Sequence, residues 1–114
     1  MDMAGSSPVV DWGAIPWEPM REGIGRKVFS GQGATLQLAR LQPGHAIRPH
    51  EHPYEQIVYI LSGVVNFHVG EDVHRMAGGA CMAIPPNVTH YAVVVGSEEV
   101  LNLDVFIPRR SDLG

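Results

Sequence analysis

The sequence predicts an all-β protein built as a small single-domain jelly-roll barrel. Three observations support this fold class: about eight short segments have strand-like patterns, glycine and proline clusters separate them, and no stretch shows the 3.6-residue period of an amphipathic helix. A chain of 114 residues has room for one hydrophobic core. Closing many short strands into a barrel also hides their edges from other chains.

The chain begins with a segment that is too irregular for a long strand or helix. We divide the sequence into a leader and tryptophan-containing arm, residues 1–22, and a barrel domain, residues 23–114. The residues up to about Pro8 are expected to form a mobile leader. Trp12 and Trp17 stand among prolines, and such large apolar rings need cover. We expect the arm to pack on the outside of its own barrel or on a second subunit.

The remaining elements are strands separated by turn signals. Glycines mark most turns, and Asn87 follows two prolines as a residue suited to left-handed backbone. In the last strand Asp104 shares one face with Asn102 and Phe106, and a buried carboxylate there is costly unless it has a partner or a task. The predicted strands cover residues 23–30, 34–42, 50–61, 64–69, 73–76, 80–84, 88–95 and 100–107.

Composition and charge argue against several classes of function. The formal net charge is −4 and no basic cluster is present, which argues against nucleic-acid binding. No apolar run is long enough to span a bilayer, and the first residues lack the basic and apolar regions of a secretory signal, so a cytoplasmic location is expected. The one cysteine, Cys81, stands in an apolar run and is predicted to be a small buried side chain rather than a catalytic thiol.

Two histidines spaced two apart are the first indication of a metal site. On a strand, His50 and His52 point to the same face, and prolines on either side keep this stretch out of a helix. Gln56 offers an amide oxygen four residues later, and His90 comes from a distant strand. Inward-facing side chains of a small barrel converge on one lumen. Three imidazoles and an amide oxygen would leave a coordination position open, as catalytic metal sites do.

The spacing of these residues resembles the two motifs of the cupins, G-x5-H-x-H-x3,4-E-x6-G and G-x5-P-x-G-x2-H-x3-N. Gln56 takes the place of the glutamate, while Asn87 and Val94 replace the second glycine and the asparagine of the second motif. A neutral amide leaves the ligand set uncharged, so a bound divalent ion would keep its full charge. Glu55 is an alternative ligand, although it points to the other face of the strand. The matching residues are Gly44, His50, His52 and Gly63 in the first motif and Gly79, Pro85 and His90 in the second.

A wider resemblance covers residues 23–110. The segments G-I-G-R-K-V-F-S-G, H-E-H-P-Y-E-Q and D-V-F-I-P-R-R are similar to small single-domain cupins of pectin and alginate breakdown, which linearise 4,5-unsaturated monouronates to 5-keto-4-deoxyuronates. The resemblance implies that Asp104 acts in catalysis and that Phe106 lines the pocket. It also implies an arginine that binds substrate, either Arg110 or Arg109. One divalent metal ion, Zn, Ni, Fe or Mn, would be held by His50, His52, Gln56 and His90.

The same residues allow other interpretations. Asp104 could orient a metal-bound histidine, or pair with an arginine, instead of moving a proton. Gln37 and Tyr59 are further candidates for contacts to sugar hydroxyls. A metal-dependent dioxygenase and a non-catalytic small-molecule-binding cupin are the alternative functions, because one scaffold hosts many activities. In every case the partner is a small molecule, and the tryptophan arm favours a homodimer.

Overall fold

The computed structural model describes residues 7–113 and confirms the all-β prediction. The expected leader lies largely outside the described residues. No helix within residues 7–113 is long and apolar enough to cross a membrane. Two short 3₁₀ helices, Trp12–Ala14 and Ser111–Leu113, flank the strands β1 (Glu18–Arg21), β2 (Ile24–Ser30), β3 (Thr35–Leu41), β4 (Glu55–Ser62), β5 (Val64–Val69), β6 (Asp72–Ala77), β7 (Cys81–Ile84), β8 (His90–Val94) and β9 (Val100–Ile107).

The strands form two antiparallel sheets that enclose one hydrophobic core. The larger sheet has six strands in the order β1-β2-β3-β9-β4-β7, and the smaller has three in the order β6-β5-β8. Strand β9 lies between β3 and β4, so its inward side chains stand near the centre of the larger sheet. The last strand of the sequence therefore meets residues from distant segments of the chain.

Alternating burial on β3 and β9 separates an inward from an outward face. The buried residues of β3 are the odd-numbered ones from Thr35 to Leu41, and those of β9 are the even-numbered ones from Val100 to Phe106. Strand pairing places Gln37 opposite Asp104 on the inward face. The polar inward side chains lie beside an apolar core that consists of Ile24, Ala39, Leu41, Val58, Ile60, Val65, Phe67, Met76, Ile84 and Val100.

The outward face of the six-stranded sheet is largely apolar. Leu38 and Leu103 lie there as paired, half-buried neighbours, and Tyr59 is exposed. Cys81 pairs with Tyr59 on the same face and is exposed, so the prediction of a buried cysteine is wrong. The reason is the alternation of β7, in which the neighbours of Cys81 along the strand, rather than Cys81 itself, point inward.

The tryptophan arm packs on its own barrel. The charged ends of Lys27 and Arg40 lie 4.6 Å and 4.5 Å from the ring centre of Trp17, and Lys27 donates a hydrogen bond of 2.6 Å to the carbonyl of Trp12. Strand β1 belongs to this arm and pairs with β2, so a region expected to be irregular adds a strand to the sheet. The division of the chain at residue 23 stays a prediction.

Positive backbone angles at Asn87 and Gly63 shape two separate turns of the barrel. Asn87 has φ 65°, as its position in the sequence predicts, and its amide donates a hydrogen bond of 2.8 Å to the carbonyl of His52. Gly63 has φ 85°, and a Cβ atom there would lie 2.5 Å from the carbonyl oxygen of Glu99. A side chain at Gly63 is therefore excluded by both strain and contact.

Candidate functional site

A cavity of about 300 Å³ lies between the two sheets and receives most of the polar inward side chains. A cavity of this size suits a small-molecule ligand. The predicted ligands His50, His52, Gln56 and His90 line it, and so does Asp104. The structure therefore brings the proposed metal ligands and the proposed catalytic carboxyl group to one place.

The main chain brings the three histidines together. His50 and His90 form an isolated β-bridge, in which the amide of each donates to the carbonyl of the other at 3.1 Å and 2.9 Å. His52 follows two residues later, and the turn at Asn87 holds its carbonyl. As a result, one ring nitrogen of each histidine lies within 4.8 Å of the others. The cluster thus joins the two sequence motifs in space.

Hydrogen bonds to the main chain fix the orientation of all three rings. Each Nδ1 atom bonds to a carbonyl oxygen two residues away, at 2.7 Å for His50, 3.1 Å for His52 and 2.8 Å for His90. Each Nδ1 therefore carries a proton, and in the neutral imidazole each Nε2 presents a lone pair to the cluster. The Nε2 atom of His90 is buried and has no hydrogen-bond partner among the described residues. This orphaned lone pair fits a bound cation.

Gln56 connects the histidine cluster to Asp104. Its Nε2 donates to Asp104 Oδ1 at 3.0 Å, which turns its Oε1 towards His52 Nε2, also at 3.0 Å. Two lone pairs at this distance repel each other unless a cation or a proton lies between them. Three neutral imidazoles and an amide oxygen form a donor set that suits a divalent transition metal. Glu55, the alternative ligand, is exposed on the other face of β4.

Burial keeps two of the histidines neutral. It lowers the pKa of His90 to about 4, with a further lowering by the neighbouring histidines. Desolvation also lowers the pKa of His50, although its side chain is partly exposed, and His52, Arg21 and Arg48 act in the same direction. In both cases the hydrogen bond to a main-chain carbonyl opposes the shift. Neutral imidazole is the form that binds metal.

Asp104 is 3 % exposed, and its carboxylate accepts three hydrogen bonds from side-chain amides. Gln56 and Asn102 donate to Oδ1 at 3.0 Å and 2.8 Å, and Gln37 donates to Oδ2 at 3.0 Å. Burial raises the pKa of Asp104 to about 6, against the lowering effect of these three donors and of Arg110. A carboxyl group in this range can both accept and release a proton near neutral pH.

Phe106 and Arg110 border the cavity beside His52. The buried ring of Phe106 meets His52 edge to face, with 5.5 Å between ring centres. The guanidinium of Arg110 lies 4.6 Å from the centre of the Phe106 ring and pairs with the carboxylate of Asp112 at 2.7 Å. Arg109 is exposed and lies outside the set of described residues that line the cavity. Of the two arginines, it is Arg110 that reaches this cavity.

Tyr59 does not line the cavity with the other predicted substrate contacts. Gln56 and Val58 face inward, so Tyr59 points outward from β4, where it is 39 % exposed. The structure thus corrects the prediction that Tyr59 contacts the substrate. Gln56 is predicted to face inward, and side chains alternate along a strand. The position of Gln56 therefore already predicts that Tyr59, three residues later, points outward. Gln37, by contrast, lines the cavity beside Asp104.

Three arginines without a role in the predicted site also line the cavity: Arg21, Arg26 and Arg48. Arg26 forms an ion pair with Glu18 at 2.6 Å. Arg21 lies at the end of β1, and Arg48 lies in the loop that precedes His50. The pairing of β1 with β2 and the path of the loop bring these residues to the cavity, and neither leaves a recognisable pattern in the sequence.

Comparison with known proteins places the chain in a family. Residues 37–106 match the family model described as "Cupin domain". The pectin degradation protein KdgF of Dickeya dadantii (strain 3937) is 31% identical over 100 residues, which cover 85% of this chain and 89% of that protein. H2HPP isomerase of Bacillus subtilis is 32% identical over 82 residues, which cover 70% of this chain but 35% of that protein.

Solved structures show the same architecture. The structure of KdgF from Halomonas sp. has a TM-score of 0.78 and 26% identity, and the match covers 87% of this chain and 93% of that one. An RmlC-like cupin from Shewanella frigidimarina NCIMB 400 has a TM-score of 0.85 at 21% identity, with 96% and 97% covered, and this likeness concerns the fold alone. The motifs, the barrel and these matches agree: the chain belongs to the cupin family.

Proposed function

We propose that this cupin linearises 4,5-unsaturated monouronates to 5-keto-4-deoxyuronates with one divalent metal ion. The observation that carries the proposal is the position of Asp104, a carboxyl group whose pKa is raised by burial to about 6. Gln56 holds this group at one end and faces the three-histidine cluster at the other. The similarity to the KdgF proteins, one of which is named for pectin degradation, supports the same substrate class.

The proposed metal ligands are the Nε2 atoms of His50, His52 and His90 and the Oε1 atom of Gln56. Their neutral charge and their fixed lone pairs support one Zn, Ni, Fe or Mn ion. When bound, the ion would polarise oxygens of the sugar and stabilise negative charge that develops on them.

The reaction is an isomerisation that cleaves one C–O bond and moves a proton, and it needs no oxidant or reductant. The hydroxyl group at C1 loses its proton, the bond between C1 and the ring oxygen breaks to leave an aldehyde, and the enolate takes a proton at C4 and becomes a ketone at C5. Within the chain, Asp104 Oδ1 accepts two hydrogen bonds and Oδ2 accepts one. Oδ2 therefore keeps a lone pair for the substrate. We assign both proton transfers to Asp104, because its pKa of about 6 suits an acid and a base.

The other proposed substrate contacts surround this carboxyl group. Phe106 offers an apolar surface to one face of the sugar ring, and Arg110 offers a cation beside it. The Oε1 atom of Gln37 is buried without a hydrogen-bond partner among the described residues, so it can accept a hydrogen bond from a sugar hydroxyl. Gln37 would then bind substrate with one end of its amide and orient Asp104 with the other.

We also propose that two copies pair through the apolar outward face of the six-stranded sheet. The exposed side chains of Tyr59 and Leu61 lie on β4 at this face. Tyr59→Glu should shift the mass measured by sedimentation from dimer to monomer, whereas Val73→Glu, at an exposed position of the smaller sheet, should not. Equal masses for both variants would contradict this interface. A cytoplasmic location stays a prediction from the sequence.

The proposed reaction can be tested with 4,5-unsaturated galacturonate under anaerobic conditions. The metal-loaded protein should remove the absorbance of the enol ether faster than the spontaneous reaction, without oxygen. Asp104→Asn should abolish this acceleration. If the protein does not accelerate the loss of absorbance, and in a separate assay with oxygen it consumes oxygen with a phenolic or diketone substrate, it is a dioxygenase. Binding of the sugar acid without either reaction would identify a binding protein.

A further inference from the structure

Positive charge is concentrated in the cavity of a chain that is acidic as a whole. The net charge of the protein is −4, yet four of its eight Lys and Arg side chains line the cavity. Among residues 7–113, the carboxyl groups that line it are those of Glu51 and Asp104, and burial raises the pKa of Asp104 to about 6. The cavity therefore presents an excess of positive charge to a ligand.

The four arginines fall into two kinds. Arg26 and Arg110 are compensated by short ion pairs with Glu18 at 2.6 Å and Asp112 at 2.7 Å. Arg21 forms no ion pair with a carboxylate among the described residues. The same holds for Arg48 within residues 7–113. Their charges are consequently available to an external anion.

Arg21 is held in position by the chain around it. Its Nε donates a hydrogen bond of 3.2 Å to the carbonyl of Ala46, and the amide of Ala46 donates to the carbonyl of Glu22 at 2.9 Å. These two bonds tie the loop before His50 to the turn after β1. Arg48 lies two residues further along this loop, so both guanidinium groups border the same cavity beside the histidine cluster.

The two guanidinium groups are close enough to influence each other. Burial lowers the pKa of Arg21, and the charge of Arg48 lowers it further. Both side chains also line the cavity together with His50, which places them near the proposed metal ligands. Two like charges in a partly desolvated wall repel each other, and an anion between them would relieve that repulsion.

We propose that Arg21 and Arg48 form a carboxylate-binding site at the histidine end of the cavity, separate from Arg110. A planar carboxylate matches the fork of N–H donors that a guanidinium presents, and two such groups can share its two oxygens. The identification of the ligand as a sugar acid rests on the proposed function, whereas the binding of an anion here does not. The uronate carboxylate would sit at Arg21 and Arg48, and its ring would extend towards Asp104.

Binding of saturated sugars to the full-chain protein tests this inference without any turnover. Galacturonate is the anionic probe, and galactose is its neutral match. Titration calorimetry should show that galacturonate binds and that galactose binds at least about tenfold more weakly. Arg48→Gln and Arg21→Gln should each weaken galacturonate binding by about tenfold or more and leave galactose binding unchanged. Higher salt should weaken galacturonate binding as well.

Control variants distinguish binding at Arg21 and Arg48 from binding at Arg110, and a specific loss of binding from a general loss of folding. Arg75→Gln changes an exposed arginine on β6 and should leave binding unchanged. An NMR titration of the wild-type protein needs no variant. The Nε–H signal of Arg21 should shift with galacturonate and stay fixed with galactose. The inference is overturned if galacturonate does not bind, if galactose binds equally well, or if only Arg110→Gln weakens binding. Binding that depends on both arginines, without turnover of the unsaturated uronate, would uphold this site and reject the proposed function.

Discussion

The cavity has two walls that differ in how their polar groups are held. The histidine wall consists of His50, His52, Gln56 and His90, and main-chain or side-chain hydrogen bonds fix each of these groups. The arginine wall consists of Arg21 and Arg48, of which Arg21 has a single hydrogen bond to the main chain. The first wall is neutral and rigid, and the second is charged and open. This difference suggests a division of work, in which one wall binds a cation and the other an anion.

Replacement of His90 should disrupt the histidine wall and have the largest effect on turnover among these predictions. His90→Ala removes a proposed ligand and the buried Nε2 atom that has no partner among the described residues. Turnover should fall by about a thousandfold or more, because the charge stabilisation of a bound metal is worth several kcal/mol. Elemental analysis after dialysis should show a matching loss of metal. His74→Ala, at an exposed position of β6, should keep both. Retention of metal and turnover by His90→Ala would contradict the ligand assignment.

Replacement of Asp104 should separate proton transfer from metal binding. Asp104→Asn should lower turnover by about a hundredfold or more, which is the usual effect of losing a general acid or base. The fold should accept the change, because Gln37 can rotate its amide. Its Oε1, which has no partner among residues 7–113, can then accept a hydrogen bond from the new side-chain amide. The metal content should stay the same. If the metal is lost as well, Asp104 has a structural role at the site.

The pH dependence of stability should report the burial of Asp104. Its pKa in the folded protein, about 6, is higher than its ordinary value of 3.8. The folded state therefore favours the protonated form, and this stabilisation is complete below about pH 4 and is lost as the pH rises through 6. In metal-free protein, the free energy of unfolding of wild type relative to Asp104→Asn should fall by roughly 2 kcal/mol between pH 4 and 7.

The comparison with Asp104→Asn also removes the opposite contribution of His90. The pKa of His90 is lowered, so the stability that it contributes is present above pH 6.5 and is lost as the pH falls towards 4. Both proteins share this effect, and it cancels in the difference. Urea denaturation at several pH values gives the measurement. A difference that does not change with pH would show that the pKa of Asp104 is not raised.

Restoring the acidic residue of the general cupin motif should weaken the link between the ligand set and Asp104. Gln56→Glu replaces a hydrogen-bond donor, 3.0 Å from Asp104 Oδ1, with a second carboxylate. Metal-free protein at pH 7 should lose about 1–3 kcal/mol of stability, because a donor is lost and two carboxylates approach each other. Bound metal should offset part of this loss. Equal stability of the variant and the wild type in urea would show that the hydrogen bond contributes little.

The smallest effect concerns the ion pair that distinguishes Arg110 from the arginine wall. Asp112→Asn removes a partner that is 53% exposed, so the free energy of unfolding should change by less than about 1 kcal/mol. Binding of galacturonate should change less in this variant than in Arg48→Gln. A larger effect of Asp112→Asn on binding would mean that Arg110, rather than the arginine wall, holds the carboxylate.

The sequence predicts the histidine wall better than the arginine wall, and the reason is physical. The spacing of His50 and His52 predicts that both rings point the same way, and the structure brings them together with His90 from the second motif. Alternation also places Asp104, Asn102 and Phe106 on one inward face, as the structure shows. Arg21 and Arg48 reach the cavity only through the pairing of β1 and the path of a loop, which depend on packing between distant segments.

Two sequence-based predictions, for Tyr59 and Cys81, are wrong because the composition of a strand does not identify its inward face. Tyr59 and Cys81 lie in apolar runs, where composition does not tell the inward from the outward face of a strand. The pairing of β4 with β7 puts both on the outward face. Strand parity relative to Gln56 resolves the position of Tyr59, but Cys81 requires the register between two strands. One residue known to point inward therefore identifies the inward face of its own strand, but it does not identify the inward face of a neighbouring strand.

The most direct test of the proposed reaction is the fate of the proton at C4. The unsaturated uronate is converted in D₂O without oxygen, and the product is examined by NMR. The metal-loaded wild type should accelerate formation of the 5-keto-4-deoxyuronate with one deuterium at C4, and Asp104→Asn should match the spontaneous rate. A rate with the wild-type protein that equals the spontaneous rate would contradict the assignment of this cavity to uronate linearisation.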